Sequence, residues 1–390
     1  MHNSERKPKI LIFTSFYLPG FKGGGPIRSI ANLVKELAED FDFMIVTRDR
    51  DLLDVSAYKD VVAGQWQDTG RAKVLYLPPS GIGFFSLRKI LIESKYDIVY
   101  LNSFFDFDFS IKPVLLCRYF RVTKAPLLIA PRGEFSEGAI SLSKAKKQVY
   151  IGLSNLLGFY NGAVFQASSK YESEDIARFL KVPSKNIRVA VNVPDISAPD
   201  VKSFFSSKLK VIFLSRITAK KNLKFAIEVL SLIGVPIDFH IYGPKEDSAY
   251  WRECEALISK LPPNIQYCYC GVVDPNEVKN VFSNYDVFLF PTLGENFGHV
   301  IAESLLAGTP VLISDQTPWR NLEDDGLGWD LPLDDVAKYS NVIEQLARID
   351  VAERNNKRLG RLEKVRERLR AHDIISANKE LFSLLLRSVK

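Results

Sequence analysis

The chain has 390 residues, 46% hydrophobic and 25% charged, which is typical of a globular protein and too long for one ordinary core. No long uncharged apolar run occurs, and the first nine residues lack the apolar segment of a signal peptide, so the sequence predicts no membrane span and favours the cytoplasm. The net charge of +6 comes from residues 1–200, with 27 Lys and Arg against 21 Asp and Glu, an excess too small to indicate nucleic acid.

The first half of the chain alternates strands and helices. A strand over residues 9–14 leads into a loop with Gly23-Gly24-Gly25-Pro26, a helix over 27–40 and a strand over 43–47. The glycine run lacks the spacing of a dinucleotide fingerprint, and a flexible turn is the simpler interpretation. Further strands are predicted over 74–77, 98–101, 127–130, 163–167 and 187–191. This order is typical of a doubly wound, mostly parallel sheet, whose ligands bind beyond the carboxyl ends of the strands.

The second half repeats this scheme. A Pro- and Ser-containing stretch precedes predicted strands over residues 210–214, 237–242, 265–270, 286–290 and 311–314, and the chain from 352 to 390 has a helical pattern. We therefore predict an α/β protein with an N-terminal Rossmann-like domain over 1–192, a linker over 193–208, a C-terminal Rossmann-like domain over 209–370, and a last helix over 371–390.

The cysteines and histidines do not predict a metal site. Cys268 and Cys270 fall on one face of a strand-like run, but no second Cys or His pair has ligand spacing. Reduced, mostly buried thiols are expected instead.

One strand-to-helix turn carries the most information, Gly294-Glu295-Asn296-Phe297-Gly298-His299-Val300-Ile301-Ala302-Glu303. Its glycines allow backbone to approach a ligand, and the amides that begin the following helix favour an anion. Glu295 and Glu303 would lie about 12 Å apart along a helix, which suits a long polar ligand with separated hydroxyls. The alternative is that Glu295 caps the helix and Glu303 is solvated.

A second turn, Ser215-Arg216-Ile217-Thr218-Ala219-Lys220-Lys221-Asn222-Leu223, places two cations at the end of a strand. Arg216 follows the strand and Lys221 is predicted to open a helix, an arrangement suited to a pyrophosphate. A solvated basic turn is the alternative, and Lys220 is expected to be a solvated neighbour.

Glu295 and Glu303, separated by seven residues within Glu-Asn-Phe-Gly and followed by Ala-Gly-Thr-Pro-Val-Leu-Ile-Ser, resemble the signature of family 4 retaining glycosyltransferases. That resemblance implies a GT-B fold in which two Rossmann-like domains face a central cleft and the last helix, over 371–390, crosses back to the N-terminal domain. It also implies a UDP- or GDP-sugar as co-substrate, no resident cofactor and no metal. Glu295 would lie by the donor sugar and Glu303 would hold the ribose hydroxyls. Arg216 and Lys221 are further implied donor contacts that neutralise the leaving diphosphate, and together with Glu295 they form the implied catalytic set. The remaining implied donor contacts are Gly24, Gly25, Asn296, Phe297, Gly298 and His299.

The acceptor is expected at the strand ends of the first domain. Many members of the family have a His after the strand that here ends at Leu101, whereas this chain has Asn102, which cannot shuttle a proton near neutral pH. Arg132 could hold an acceptor hydroxyl, carboxylate or phosphate, or could pair with Glu134. Asp106-Phe107-Asp108 is predicted to be a loop or partner face rather than a metal ligand.

These features predict a retaining, hexosyltransferase-like enzyme that acts on a glycan or lipid-diphosphate-linked acceptor, in a style resembling bacterial polysaccharide and lipopolysaccharide assembly. The alternatives are a non-catalytic nucleotide-sugar-binding subunit, a sugar-nucleotide epimerase or a phosphorylase. Lys144, Lys146 and Lys147 precede an apolar run over 149–160, which predicts weak peripheral contact with an anionic membrane unless that run is core.

Overall fold

The computed structural model describes residues 6–141, 144–197 and 208–387, which form two compact units. Unit 1 comprises Met1–Val193 together with His372–Lys390, and unit 2 comprises Pro194–Ala371. Residues 198–207 of the predicted linker lie outside the described residues.

Unit 1 is built on an eight-stranded sheet in the order β3-β4-β2-β1-β5-β6-β7-β8. Every pairing is parallel except that of β3 with β4. The strands are β1 (Lys9–Phe13), β2 (Asp42–Arg48), β3 (Trp66–Asp68), β4 (Ala72–Leu77), β5 (Ile98–Leu101), β6 (Leu127–Ile129), β7 (Val164–Ala167) and β8 (Ile187–Val189).

The helices of this unit that precede its junction with unit 2 are α1 (Gly25–Leu37), α2 (Phe84–Glu93), α3 (Lys112–Val114), α4 (Glu137–Ser141), α5 (Lys144–Leu157) and α6 (Lys170–Phe179). Two π-helical turns, Phe107–Ile111 and Leu115–Tyr119, flank α3.

The apolar run of β1 shows why the sheet is covered on both faces. Ile10 and Ile12 belong to one buried cluster, whereas Leu11 and Phe13 belong to a second cluster. Because successive side chains of a strand point to opposite faces, a run of consecutive apolar residues such as Ile10–Phe13 needs a core on each side.

Unit 2 repeats the architecture with six parallel strands in the order β11-β10-β9-β12-β13-β14. The strands are β9 (Leu209–Leu214), β10 (Ile237–Tyr242), β11 (Ile265–Gly271), β12 (Val287–Phe290), β13 (Val311–Ser314) and β14 (Gly328–Leu331). The helices are α7 (Leu223–Ser231), α8 (Ser248–Ile258), α9 (Val278–Phe282), α10 (His299–Leu306), α11 (Val336–Arg348) and α12 (Val351–Leu369).

The last helix, α13 (Ala371–Arg387), packs on unit 1 although it follows unit 2 in sequence. Phe382 is fully buried there, with its ring centroid 5.2 Å from that of Phe41 and 6.0 Å from that of Tyr100. Asn378 donates to the carbonyl of Val191 at 2.9 Å, so a polar contact also fixes the position of the helix.

The two strands that the sequence does not predict are β3 and β14. β3 has only three residues, none of them buried, so no alternation marks it. The glycine that begins β14, Gly328, has φ 153°, and a Cβ there would lie 2.0 Å from the carbonyl oxygen of Val311. A glycine is usually a signal against a strand, but here it is required by the close approach of β13.

Candidate active site

Two loops of unit 2 meet at the carboxyl edge of its sheet. β9 and β12 are neighbours in the sheet, so the turns that follow them are adjacent. The amide of Leu293 donates to the carbonyl of Lys220 at 2.8 Å, and the Thr292 hydroxyl donates to the same oxygen at 3.1 Å. These bonds hold together the two turns that the sequence singled out separately.

Lys221 and Glu295 form an ion pair across these two turns, with side chains that are 12% and 13% exposed. The Lys221 ammonium also lies 5.5 Å from the centroid of the Phe290 ring. Lys221 does not open a helix as predicted. It ends a short 3₁₀ turn, and Asn222 in the left-handed conformation separates it from α7. The prediction that Glu295 caps a helix is also wrong, because its carboxylate is paired with this lysine.

Arg216 is held by a carboxylate that the sequence analysis missed. Its guanidinium lies 3.0 Å from Glu246, which belongs to the loop after β10, and both side chains are about one-third exposed. That loop approaches the end of β9 so closely that a Cβ on Gly243, whose φ is 133°, would lie 1.8 Å from the Ser215 carbonyl oxygen. No spacing signal marks Glu246, since the contact depends on β10 lying beside β9.

The turn before α10 has the geometry expected of a glycine-rich anion site. Gly298 is the N-cap residue of α10, with φ 75°, and it has no side chain that could accept a hydrogen bond from the first amides of the helix. The carbonyl of Phe297 accepts a 2.6 Å hydrogen bond from the Trp319 indole, and the Phe297 and His299 rings meet with centroids 4.8 Å apart. Asn296 follows Glu295 and precedes Phe297 in the chain.

Glu303 is buried on α10 at 7% exposure, as is His299 at its first position. The alternative in which Glu303 is a solvated turn residue is therefore wrong. A carboxylate placed among apolar helix residues needs polar contacts to offset its desolvation.

In unit 1 the glycine loop lies at the amino end of α1. Gly24 is the cap, with φ 69°, and Gly25 is the first helical residue. Asn102, which follows β5, is buried and donates to the Pro26 carbonyl and to the Thr14 hydroxyl, each at 3.2 Å. Asn102 therefore ties the glycine loop to the end of β1.

Arg132 lies beyond β6 in the left-handed conformation, with φ 57°. Its guanidinium donates to Asn102 Oδ1 at 2.7 Å, to the Tyr100 hydroxyl at 2.6 Å, and to Asn192 Oδ1. The two residues predicted to contact the acceptor are thus joined to each other.

The alternative pairing of Arg132 with Glu134 is wrong. Glu134 instead accepts hydrogen bonds from the Ser103 hydroxyl at 2.7 Å and from the amides of Phe104 and Phe105 at 2.6 and 3.0 Å. Burial raises the pKa of this carboxyl, and the three hydrogen bonds oppose the shift.

Asp106 and Asp108 have structural contacts in unit 1. Asp106 caps a π-helical turn by accepting from the Phe109 amide at 2.6 Å. Asp108 pairs with Arg48 at 2.7 Å and with Lys112 at 2.6 Å. The prediction of an irregular loop at this position is therefore only partly right, because the segment is a capped helical turn.

The four thiols fall into two groups. Cys117 and Cys254 are buried, and burial raises the pKa of Cys117 to about 12 and that of Cys254 to about 11. Cys268 is exposed and Cys270 half-buried on β11. Within the described ranges no three His, Cys, Asp or Glu side chains are grouped so as to hold a metal ion.

The chain is similar to known proteins in sequence and in fold. Residues 197–361 match the family model described as glycosyl transferases group 1. A Klebsiella pneumoniae protein described as an uncharacterized 41.2 kDa protein in the cps region is 23% identical over 273 residues, which are 67% of this chain and 72% of the relative. The phosphatidyl-myo-inositol mannosyltransferase of Mycobacterium leprae is 27% identical over 168 residues, 41% of this chain and 43% of the relative.

Solved structures share the fold over almost the whole chain. HepE from Anabaena, crystallised with UDP and glucose, superimposes with a TM-score of 0.72 at 16% identity, covering 96% of this chain and 99% of HepE. The sucrose-phosphate synthase of Thermosynechococcus elongatus gives a TM-score of 0.72 at 16% identity, covering 98% of this chain and 100% of the synthase.

Two parallel-sheet Rossmann-like units and the likeness to these solved structures show that the chain has the GT-B fold. Residues 197–361 resemble the glycosyl transferases of group 1, and the predicted resemblance is confirmed at that level. None of the helices in the described part of the chain is long and apolar enough to cross a bilayer.

Proposed function

We propose that this glycosyltransferase is a retaining, metal-independent enzyme that moves a sugar from a UDP- or GDP-sugar to a glycan or lipid-linked acceptor in bacterial surface polysaccharide assembly. The observation that carries the proposal is the placement of Arg216, Lys221 and Glu295 in adjacent turns at one edge of the unit 2 sheet, followed by the buried Glu303 on α10. HepE binds UDP and a relative lies in a cps region, which supports the donor and the pathway.

The proposed roles follow from charge. The bond between the sugar and the diphosphate breaks with its electron pair passing to a phosphate oxygen, and preorganised cations and helix amides stabilise that charge. Lys221 and Arg216 supply the cations, and the first amides of α10 supply the dipole. Their present partners, Glu295 and Glu246, keep both cations oriented before the diphosphate arrives.

Retention follows if the acceptor attacks the face from which the diphosphate leaves. The acceptor hydroxyl forms the new bond to the sugar carbon and gives its proton to the departing phosphate oxygen. Asn102 is compatible with this route, because no side chain at that position then has to carry a proton. We propose that Glu295 and His299 contact the sugar, Glu303 holds the ribose, and Gly24 and Gly25 face the diphosphate.

The deciding experiment measures release of nucleoside diphosphate from a panel of UDP- and GDP-sugars, with and without extracts of polysaccharide precursors as acceptors. Acceptor-dependent release, with the product anomer matching the donor anomer by NMR, is expected. Binding of the donor without release would instead favour a non-catalytic nucleotide-sugar-binding subunit. Conversion of the donor to another sugar nucleotide without an acceptor would favour an epimerase.

Peripheral membrane contact is part of the proposal, and helix α5 supports it. Four apolar side chains on this helix are exposed: Val149, Leu153, Leu156 and Leu157, at 71, 48, 81 and 55%. Their spacing places them on one helical face, so the apolar run is not simply core. The exposed Lys146 lies one turn before Val149 on that face, and all of the chain's formal excess of positive charge lies within residues 1–200.

This exposed apolar face with a lysine beside it is suited to bind an anionic bilayer. Insertion of one such apolar side chain contributes up to about 1.5–3 kcal/mol, and a basic residue near the leaflet about 1 kcal/mol, which gives reversible attachment. Lys147 is not available for this role, because it donates to the Ala139 carbonyl at 2.6 Å and lies over the Phe105 ring. The side chain of Lys144 lies outside the described residues.

Sedimentation with anionic vesicles at low salt tests the membrane contact. The wild type should pellet, Leu153→Ser/Leu156→Ser should not, and Lys146→Glu should pellet less. Leu53→Ser/Val55→Ser is the matched control, since both side chains are exposed on the same unit at 75 and 88%. Equal pelleting of the Leu153/Leu156 variant and the wild type would refute the contact. So would a soluble wild-type dimer that the Leu153/Leu156 substitutions dissociate.

A further inference from the structure

Within the described part of the chain, the guanidinium of Arg132 is held in place by neutral groups. Its three contacts are the side-chain oxygens of Asn102 and Asn192 and the hydroxyl of Tyr100. A guanidinium has more N–H donors than these three acceptors use. Arg132 therefore keeps its full charge and retains donors for a further partner.

The neighbouring carboxylates accept hydrogen bonds from groups other than Arg132. Glu134 accepts from Ser103 and from two backbone amides, as described above. Glu172 accepts from the Gly133 amide at 2.5 Å and from the amide and hydroxyl of Ser168, both at 2.7 Å. Among the residues that the structure describes, no carboxylate pairs with Arg132. A partly buried charge that lacks an opposite charge is unfavourable, so this arrangement favours an external anion.

The side chain is both accessible and preorganised. Arg132 is half-buried rather than enclosed, and it lies beyond the carboxyl end of β6, the edge at which parallel sheets bind ligands. Tyr100 donates to Gln166 Oε1 at 2.7 Å, and Gln166 donates to Asn378 of α13 at 2.9 Å. This chain of bonds fixes Arg132, so an anion would bind without the entropy loss of ordering a long side chain.

We propose that Arg132 is the receptor for an oxyanion carried by the acceptor, so that the acceptor is an anionic saccharide or saccharide lipid. This inference rests on the proposed transferase function. Asn102 joins Arg132 to Pro26 beside the glycine loop, so the oxyanion would lie near the loop expected to face the donor diphosphate. The anion is either the carboxylate of a uronic acid or a phosphate, and a bidentate guanidinium recognises both.

Binding can be measured without any turnover. In full-length Arg216→Gln/Lys221→Gln protein, which lacks the donor-site cations, methyl phosphate and methyl glucuronide are titrated by calorimetry. One of the two should bind, and adding Arg132→Gln should weaken that binding at least tenfold. Adding Arg188→Gln, which removes an exposed charge from β8 of the same unit, should leave it unchanged. The preferred probe identifies the source of the anion.

Three results would overturn the inference: neither probe binds, Arg132→Gln binds the probe as tightly as its parent, or Arg188→Gln weakens binding equally. Should Arg132→Gln fail to fold, Arg132→Lys replaces it, because it keeps the charge but loses the planar fork. Affinity should then fall several-fold, and unchanged affinity would again refute the inference. These binding measurements do not require sugar transfer, so they test the role of Arg132 even if the proposed transferase function is wrong.

Discussion

Replacement of Glu295 by Gln should separate nucleotide binding from turnover. In the structure its carboxylate is paired with Lys221, and both side chains are largely buried. A diphosphate that binds Lys221 must compete with this carboxylate. Removing the charge of Glu295 should therefore tighten the binding of the nucleoside diphosphate, while turnover falls because the group beside the sugar has been changed.

The size of the effect follows from the contact. A hydrogen bond to a charged partner contributes about 1.5–3 kcal/mol and a neutral one about 0.5–1.5 kcal/mol. Replacing the carboxylate by an amide thus weakens the competing contact by roughly 1–1.5 kcal/mol, which corresponds to about five- to tenfold tighter binding of the diphosphate. Turnover should fall about tenfold or more, the equivalent of one contact of about 1.4 kcal/mol lost in the transition state.

Calorimetry with UDP and GDP gives the affinities, and initial rates at saturating donor give the turnover. Glu303→Gln should behave oppositely, with weaker nucleotide binding as its main effect. Glu253→Gln is the matched control, because Glu253 pairs with Lys224 on the surface of the same unit at 59% exposure, and neither property should change. If Glu295→Gln weakens diphosphate binding more than Glu303→Gln does, the two assignments are reversed.

Four further predictions follow from the same contacts. Lys221→Ala should weaken nucleoside diphosphate binding by about 1.5–3 kcal/mol while leaving nucleoside binding nearly unchanged, and equal losses in titrations of both would contradict the phosphate role. Transferase activity should survive EDTA, and a loss restored by magnesium or manganese would refute metal independence. Phe382→Ala should lower the free energy of unfolding by about 3–5 kcal/mol in urea titrations, because a buried ring is removed from the contact of α13 with unit 1, whereas Phe382→Leu should cost less. Burial lowers the pKa of His240 below its ordinary 6.5, so the folded state binds fewer protons than the unfolded state, and stability should fall as the pH drops below 6.5 until the lowered pKa is passed. His240→Gln should remove that part of the pH dependence, and identical pH profiles of the two proteins would contradict it.

The sequence could predict the features that depend on local patterns. The apolar run 286–290, the two glycines after it and the helical period from Val300 indicate a strand, a turn and a helix, and the structure has all three. Hydrophobic runs bounded by turn residues likewise located most strands of both sheets to within a residue or two. Side-chain periodicity and backbone preferences act within a few residues, so the sequence records them directly.

The sequence could not predict how the charged groups pair. Glu246 contacts Arg216 only because β10 lies beside β9, and Arg132 contacts Asn192 across 60 residues rather than its near neighbour Glu134. The burial of Glu303 and the exposure of Leu156 also contradict what their polarity alone would suggest.

The amino-acid sequence by itself thus determined the order of elements, the two-unit α/β class and the identity of the two turns that meet at the edge of the unit 2 sheet. The tertiary structure decided which acid faces which base, and which apolar helix face stays exposed. The physical reason is that local propensities are set by neighbouring residues, whereas ion pairing and burial depend on which strand ends and helices the folded sheet places side by side.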